Sequence, residues 1–216
     1  MTSITASVPK FDLRRQYRQL YTASAQQVTV IDIPDLQYLV LDGAIQPGLT
    51  PGDSPEFAEN IGALYSTAYG LKFMAKMREE DPFDYSVMAL EALWRTKSHK
   101  FPPEPGEPLL YTLLILQPEQ ITQTMFEQAV AAARSKHPHQ ALDKIQLERR
   151  REGRCIQMMH VGPYAEEPRT IEMLHRFAVE NGLRISGPHH EIYLGDPRRS
   201  RPENLKTILR YPVTPG

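Results

Sequence analysis

The sequence predicts an α+β fold: a pseudo-two-fold pair of β-α-β-β units, forming a curved antiparallel sheet with helices on one side and a central ligand cleft. Three observations predict it. Strand-like and helix-like segments follow the same order twice along the 216 residues. Each copy has one well-marked helix followed by strand-like segments, which places helices against a sheet. The strand after each helix carries a carboxylate at its middle, Glu91 in LEALW and Glu191 in HEIYL.

The elements follow in order. Residues 1–25 are polar and basic, with Leu13, Tyr17, Leu20 and Tyr21 at helical spacing, so a short docked helix is expected there. The ligand-binding domain is expected over 26–213, with repeats of about 28–116 and 145–213. Residues 28–42 read as a strand with a bend or bulge at Pro34, or as two short strands, because proline lacks a ladder donor. Ser54-Pro55-Glu56 is a helix start, with serine at the N-cap and proline at the first helical position. Phe57, Ile61, Leu64, Ala68, Leu71 and Ala75 then recur at helical spacing, up to Lys76–Arg78.

Residues 85–94 and 109–116 read as two strands joined by the proline-rich stretch 100–108, a hairpin with a long loop. Residues 121–136 are alanine-rich and helical, stopped by His137-Pro138. Residues 145–162 read as two strands around a turn at Glu152-Gly153. On that reading Arg149, Arg150, Arg151 and Arg154 form a solvated basic hairpin tip. Residues 166–182 are a helix closed by Asn181-Gly182. Residues 189–194 and 205–213 are the last strands.

Composition excludes several classes. The formal net charge is −1, without the basic surplus that nucleic acid or an anionic membrane requires. No run approaches the length of a membrane span. The first ten residues lack a charged-then-apolar leader, so a cytoplasmic protein is expected. A single cysteine, Cys155, excludes an internal disulfide and a thiolate metal cluster, and its apolar surroundings make it a small buried hydrophobe. The close histidine pairs, His137/His139 and His189/His190, match no zinc motif. No metal and no cofactor are expected. Nucleotide-binding and serine-nucleophile motifs are absent.

Glu191 is the most unusual residue. An acid in mid-sheet costs free energy unless it is paired, solvated in a cleft or protonated. Desolvated in a pocket, it suits a general base or a counter-ion; on a solvent face, it is an ordinary alternating strand residue. Alternation puts His189, Glu191 and Tyr193 on one face, either a pocket wall or an amphipathic surface. Glu91 is its counterpart in the first repeat. Trp94 nearby reads as a stacking surface or a core tryptophan. Tyr65 and Tyr69 share a helix face with Phe73, as core packing or as the lip of a cleft.

Together, the segments FDLRRQYRQLY, YLVLDG, ALYSTAYGLKFMAK, DYSVMALEALWR, HHEIYLGDPRR and LKTILRYPV resemble the stand-alone GyrI-like small-molecule-binding proteins of bacteria over roughly residues 10–213. The resemblance implies the duplicated β-α-β-β fold with its cleft. The same fold serves multidrug-sensing regulators, where a cleft acid pairs with cationic lipophilic drugs. No helix-turn-helix segment reads before or after the domain here, so a DNA-binding regulator is not expected. Some stand-alone members are similar to enzymes that add water to the cyclopropane of DNA-alkylating compounds. The resemblance puts the essential acid at Glu191 and the pocket aromatics at Tyr65, Tyr69, Trp94 and Tyr193. On the reading of the strands, Glu91 and His189 are expected at the ligand as well, with Tyr193 placing the water or the ligand carbonyl. Similar members read LEGLWW where this chain reads LEALWR, so Arg95 stands in place of an aromatic at the expected pocket rim.

The expectation is a binder of planar lipophilic small molecules, monomeric or weakly dimeric, that hydrolyses a cyclopropane-bearing toxin. The alternatives are a sequestering protein without chemistry and a protein inhibitor of an enzyme such as DNA gyrase.

Overall fold

The computed structural model describes residues 8–98, 104–136 and 140–216. Among the described residues, nine strands and four α-helices follow one another: β1 (Lys10–Phe11), α1 (Leu13–Gln16), β2 (Thr29–Ile45), α2 (Pro55–Met77), β3 (Asp84–Tyr85), β4 (Glu91–Arg95), β5 (Leu109–Leu116), α3 (Gln123–Lys136), β6 (Gln146–Val161), α4 (Glu167–Glu180), β7 (Leu183–Ile185), β8 (His189–Tyr193) and β9 (Lys206–Pro215). The two β-α-β-β units are β2-α2-β4-β5 and β6-α4-β8-β9, as the sequence predicts. The proposed stop of α3 at His137-Pro138 lies outside the described residues.

The main sheet runs β6-β2-β5-β4-β8-β9-β7, and a further β6–β9 pairing closes its first six strands into a ring. Every pairing in the ring is antiparallel. The units meet twice, at β2–β6 and at β4–β8. Closure gives each ring strand a neighbour on both sides over at least part of its length.

Local chemistry accounts for the elements. Ser54 caps α2, its hydroxyl accepting from the Phe57 amide, with Pro55 at the first position. Gly182, at φ 62°, ends α4 in the left-handed region. α2 lays Leu64, Ala68 and Leu71 into the core, and its Asn60 amide donates to the Tyr111 hydroxyl of β5 at 2.7 Å. α4 packs Leu174 and Ala178 against Ile156, Met158, Leu209 and Tyr211. α2 and α4 therefore cover the same, outward face of the ring.

Three expectations about strands are corrected. Residues 85–94 are not one strand. Tyr85 pairs in parallel with Phe11, and the ladder resumes only at Glu91. β2 runs through Pro34 without a break in register, from Ile33 opposite Gly153 to Asp35 opposite Arg151. Pro34 is tolerated because that half of β2 has only β6 beside it. Residues 146–161 form one long strand, not a hairpin. The arginines form no hairpin tip, and Arg149 instead pairs with Asp35 and Glu119 across strands.

Gly153 marks no turn, but its φ of 74° has a consequence. Cys155 and Gln157 share the inner face with Arg210, through pairings Cys155–Pro212 and Gln157–Arg210. Strict alternation would send Glu152 outward. Its carboxylate instead meets His190 and Arg210, and Gly153 is the departure from extended backbone in between.

The register also separates Glu91 from Glu191. Glu91 stands opposite Ile192, and Glu191 opposite Ala92, on adjacent rungs of the β4–β8 ladder. Adjacent rungs point to opposite faces. A two-fold relating antiparallel strands runs perpendicular to the sheet and keeps each side chain on its face. The two glutamates are thus not equivalent across the repeat, contrary to the sequence alignment.

Inside the ring, Glu91 belongs to a buried polar network. The Tyr21 hydroxyl donates to Glu91 Oε1 at 2.5 Å. His190 bridges Glu91 Oε2 through Nε2 and Glu152 Oε1 through Nδ1, both at 3.0 Å. Arg210, 2 % exposed, bonds Gln157 at 2.9 Å, the Leu20 carbonyl at 2.6 Å and Glu152 at 3.5 Å. Residues 17–22 are thereby tied across the ring by Tyr21, by Leu20 and by the Gln157 amide on the Gln19 carbonyl.

Burial alone would lower the His190 pKa, but the Glu152 charge and the hydrogen bonds that its ring donates to Glu152 and Glu91 raise it to about 9. A folded pKa above the unfolded value of about 6.5 adds stability that is complete below that value and lost as pH rises through the folded one. The urea midpoint of the wild type is expected to fall between pH 6.5 and pH 9. In Glu152→Gln this fall should shrink, and equal slopes in the two proteins would refute the assignment.

Candidate functional site

The outward face of β4 and β8 meets Phe57 of α2 at Trp94 and Glu167 of α4 at Glu191. Trp94 pairs with His189 and Ala92 with Glu191, so all four share this face with Tyr193. The Trp94 Nε1–H donates to the Tyr193 hydroxyl at 3.2 Å, and that hydroxyl donates to Glu191. His189 Nε2 lies 3.1 Å from Glu191 Oε1. Burial first, then Glu191, raises the Tyr193 pKa well above its usual value, so the phenol keeps its proton and remains a donor.

A second carboxylate joins from α4. Gly162 takes φ 137°, and His160 clamps the turn that follows, bonding the Pro163 carbonyl at 3.2 Å and Thr170 Oγ1 at 3.0 Å. This sets Glu167 as the first residue of α4. Ligand atoms of Glu167, His189 and Glu191 lie within 4.8 Å of one another. A helix N-terminus favours an anion. Burial, then the Glu191 charge, outweigh it and push Glu167 up to about 9, against a hydrogen bond from Thr207. One buried carboxyl of the pair is therefore an acid at neutral pH.

Tyr164 and Tyr211 lie beside this group, and Tyr65 and Tyr69 stand farther out. Tyr164, 39 % exposed, meets Tyr193 edge-on at 5.9 Å. The Tyr211 ring lies 4.9 Å from His189. Tyr65 forms a backbone hydrogen bond at Leu90, whose carbonyl accepts from the Tyr193 amide. Tyr69 stands 6.3 Å from Tyr65, on the exposed side. The arrangement is a buried pair of acids with a phenol donor beside it and Tyr164 at its exposed edge.

Of the residues singled out from sequence, Glu191, Tyr193, His189 and Trp94 come together here, while Tyr65 reaches the Leu90 backbone next to Tyr193 and Tyr69 stands outside the group, exposed. Glu91 does not join them: it faces the ring interior. Trp94 is only 4 % exposed, its ring held by Phe57 at 5.5 Å and Tyr111 at 5.9 Å. It orients Tyr193 rather than offering a free stacking surface. Arg95 points to the face opposite Trp94, where it bonds Thr112 at 2.9 Å and reaches Asp42 at 3.5 Å. It is not at the cleft. Glu167, Tyr164 and Tyr211 were missed by the sequence reading. The turn Gly162-Pro163 before Glu166-Glu167-Pro168 was the available signal.

The GyrI-like small-molecule-binding domain family matches residues 26–214. The chain belongs to that family. No curated protein matches it. Two crystal structures described as hydrolases from Listeria innocua are similar: one shares 35% identity over 95% of this chain and 100% of the other with a TM-score of 0.82, the second 34% over 94% and 99% with 0.80. An uncharacterized conserved protein from the same organism shares 35% identity over 94% of this chain and 99% of its own, with a TM-score of 0.84. The EcmrR C-terminal domain, at 13% identity, covers 88% of this chain and 98% of its own; its TM-score of 0.51 extends the likeness of fold. Among the described residues, no helix is long and apolar enough to cross a membrane.

Tyr193→Phe tests the hydrogen-bond chain. It leaves the Trp94 Nε1–H buried without its acceptor, at a cost of about 1–3 kcal/mol. Urea unfolding should register that loss, and the Trp94 emission should shift. Tyr69→Phe, on the exposed rim, should leave both unchanged. An unaltered Trp94 spectrum in Tyr193→Phe would refute the contact.

Proposed function

We propose that this GyrI-like domain binds a planar lipophilic molecule in the cleft and adds water to a cyclopropane conjugated to a carbonyl in that molecule. The observation that carries the reading is the pair Glu167 and Glu191, one acid held protonated beside the other under tyrosine rings. A carboxyl held protonated next to a second carboxyl group is suited to donate a proton while its neighbour accepts one. The likeness to Listeria proteins described as hydrolases supports the reaction class.

In the step proposed, Glu191 takes a proton from water as the oxygen attacks a ring carbon. A C–O bond forms and the strained C–C bond breaks. Its electron pair passes into the conjugated carbonyl, whose oxygen receives a proton from Glu167. The net change is the gain of one water. His189 and Tyr193 orient the Glu191 carboxylate, and the mouth tyrosines hold the ligand plane, each aromatic pair contributing about 0.5–1.5 kcal/mol beyond area burial. These terms favour micromolar rather than picomolar affinity.

A second reading is sequestration of lipophilic cations, supported by the same buried acids within an aromatic surround. Glu191→Gln separates the two. Mass spectrometry of a cyclopropane-bearing alkylator should record a gain of one water with the wild type, and a rate lower by about 10²–10⁴-fold with the variant. Binding of the neutral substrate should change little. Loss of cation affinity without any wild-type turnover would favour sequestration. Wild-type turnover and affinity in the variant would overturn both readings and leave inhibition of a partner enzyme.

A further inference from the structure

We propose that Glu167, His189 and Glu191 form a chelating site for a divalent transition-metal cation of the zinc class, and that a bound ion shuts down the acid–base pair. The inhibitory half of this proposal rests on the reading of the cleft given above; the binding half does not.

The donor set is one imidazole nitrogen and two carboxylates, from three positions on two elements. Zinc is held by such nitrogen and oxygen donors in sites with three protein ligands and an open fourth position. The candidate donor atoms all lie within 4.8 Å of one another. His189 Nε2 and Glu191 Oε1 are already at 3.1 Å, the spacing of two ligands on one ion. Bonds of about 2.0–2.2 Å keep ligand atoms within about 4.4 Å, so a small rotation of the Glu167 side chain completes the set.

A second observation points to an occupant. Glu167 is 5 % exposed, and among the described residues nothing hydrogen-bonds its Oε1. Tyr211 is 4 % exposed, and its hydroxyl also lacks a partner among the described residues. Tyr211 lies against the same group: its ring packs on His189, and Glu191 and Glu167 both act on its phenol. Buried polar atoms without partners are costly, and two of them here surround one pair of acids. A cation would take the place of the Glu167 proton, which leaves to solvent, satisfy Glu167 Oε1, balance the second negative charge and leave its fourth position to water or the Tyr211 oxygen. It would also occupy the lone pairs of Glu191 that are needed to take a proton from substrate water.

Sequence spacing concealed this site. The ligands come from the start of α4 and the middle of β8, 22 residues apart at Glu167 and His189, and no short motif spans them.

The test uses the full chain, stripped with a chelator and titrated with Zn²⁺ by calorimetry and with Co²⁺ by visible absorption. The expected result is one ion whose binding weakens at least about 10-fold in Glu167→Gln and in Glu191→Gln. A Co²⁺ band of low coordination number should accompany it and be lost in both variants. Circular dichroism checks that each variant is folded; should one fail to fold, the other decides. Zn²⁺ binding that is absent from the wild type, or equal in wild type and folded variants, overturns the proposal. With the cyclopropane substrate, stoichiometric Zn²⁺ should abolish turnover in a manner reversed by chelator. Turnover that persists with the ion bound overturns the inhibitory half. Ion binding without turnover in the stripped protein leaves the site standing and removes the hydrolase reading.

Discussion

The antiparallel pairing of β4 with β8 decides which side of the sheet each acidic and basic side chain occupies. Consecutive residues of β8 serve two unlike environments. His190 faces inward, to Glu91, Glu152 and Arg210. His189 and Glu191 face outward, to Glu167 and the tyrosines. Slipping this ladder by one residue would exchange the two sets and place the cleft acid inside the ring. Ring closure through β6–β9 opposes such a slip, because β8 is also held by β9 from His190–Arg210 to Tyr193–Thr207.

The interior network backs the β8 strand on the side opposite the paired acids. A buried ion pair is seldom a net source of stability, since desolvation offsets attraction. Here two carboxylates, an imidazole and a guanidinium are joined by hydrogen bonds from four strands and from the segment at residues 17–22. Removing one member would strand the others in a dry interior. Such a network favours one arrangement of β8 over near alternatives. Through the backbone of β8 it holds Glu191 where Tyr193 and His189 can both reach it. The N-terminal segment precedes the residues matched by the family, yet it supplies Tyr21 and the Leu20 carbonyl to this network.

Much of this was legible in the sequence. Ser54-Pro55 and Asn181-Gly182 delimit two helices through local chemistry, and both behave as read. The outward face of β8 follows from strict alternation, so His189, Glu191 and Tyr193 were grouped correctly. Legibility failed where the chain departs from a local rule. Glu152-Gly153 carries the composition of a hairpin turn, but the ladder of β6 with β2 continues from Arg151 to Gly153 and β9 takes up β6 from Cys155, so the chain runs on through it as one strand. Glu91 and Glu191 align in sequence because each follows a helix by a similar distance. Facing is set by ladder rungs, which the spacing does not encode. Glu167 was hidden because a glutamate in the first turn of a helix is ordinary; only the tertiary approach of β8 makes it unusual.

The two cleft acids set the chemistry through electrostatics that neither would have alone. Glu167 stands at a helix N-terminus, which favours its charge, yet burial and the neighbouring Glu191 keep a proton on it. The pair therefore accommodates one negative charge, and the rest must be balanced by something the cleft admits. A proton gives an acid beside a base. An organic cation gives a counter-ion pair without chemistry. A metal ion gives a closed chelate with no free base. These three occupants draw on the same oxygens, so they exclude one another. A single buried carboxylate would hold a base or a counter-ion without an acid beside it. The second carboxyl, brought in by the turn at Gly162, makes proton donation possible and also makes the cleft open to inhibition by a cation.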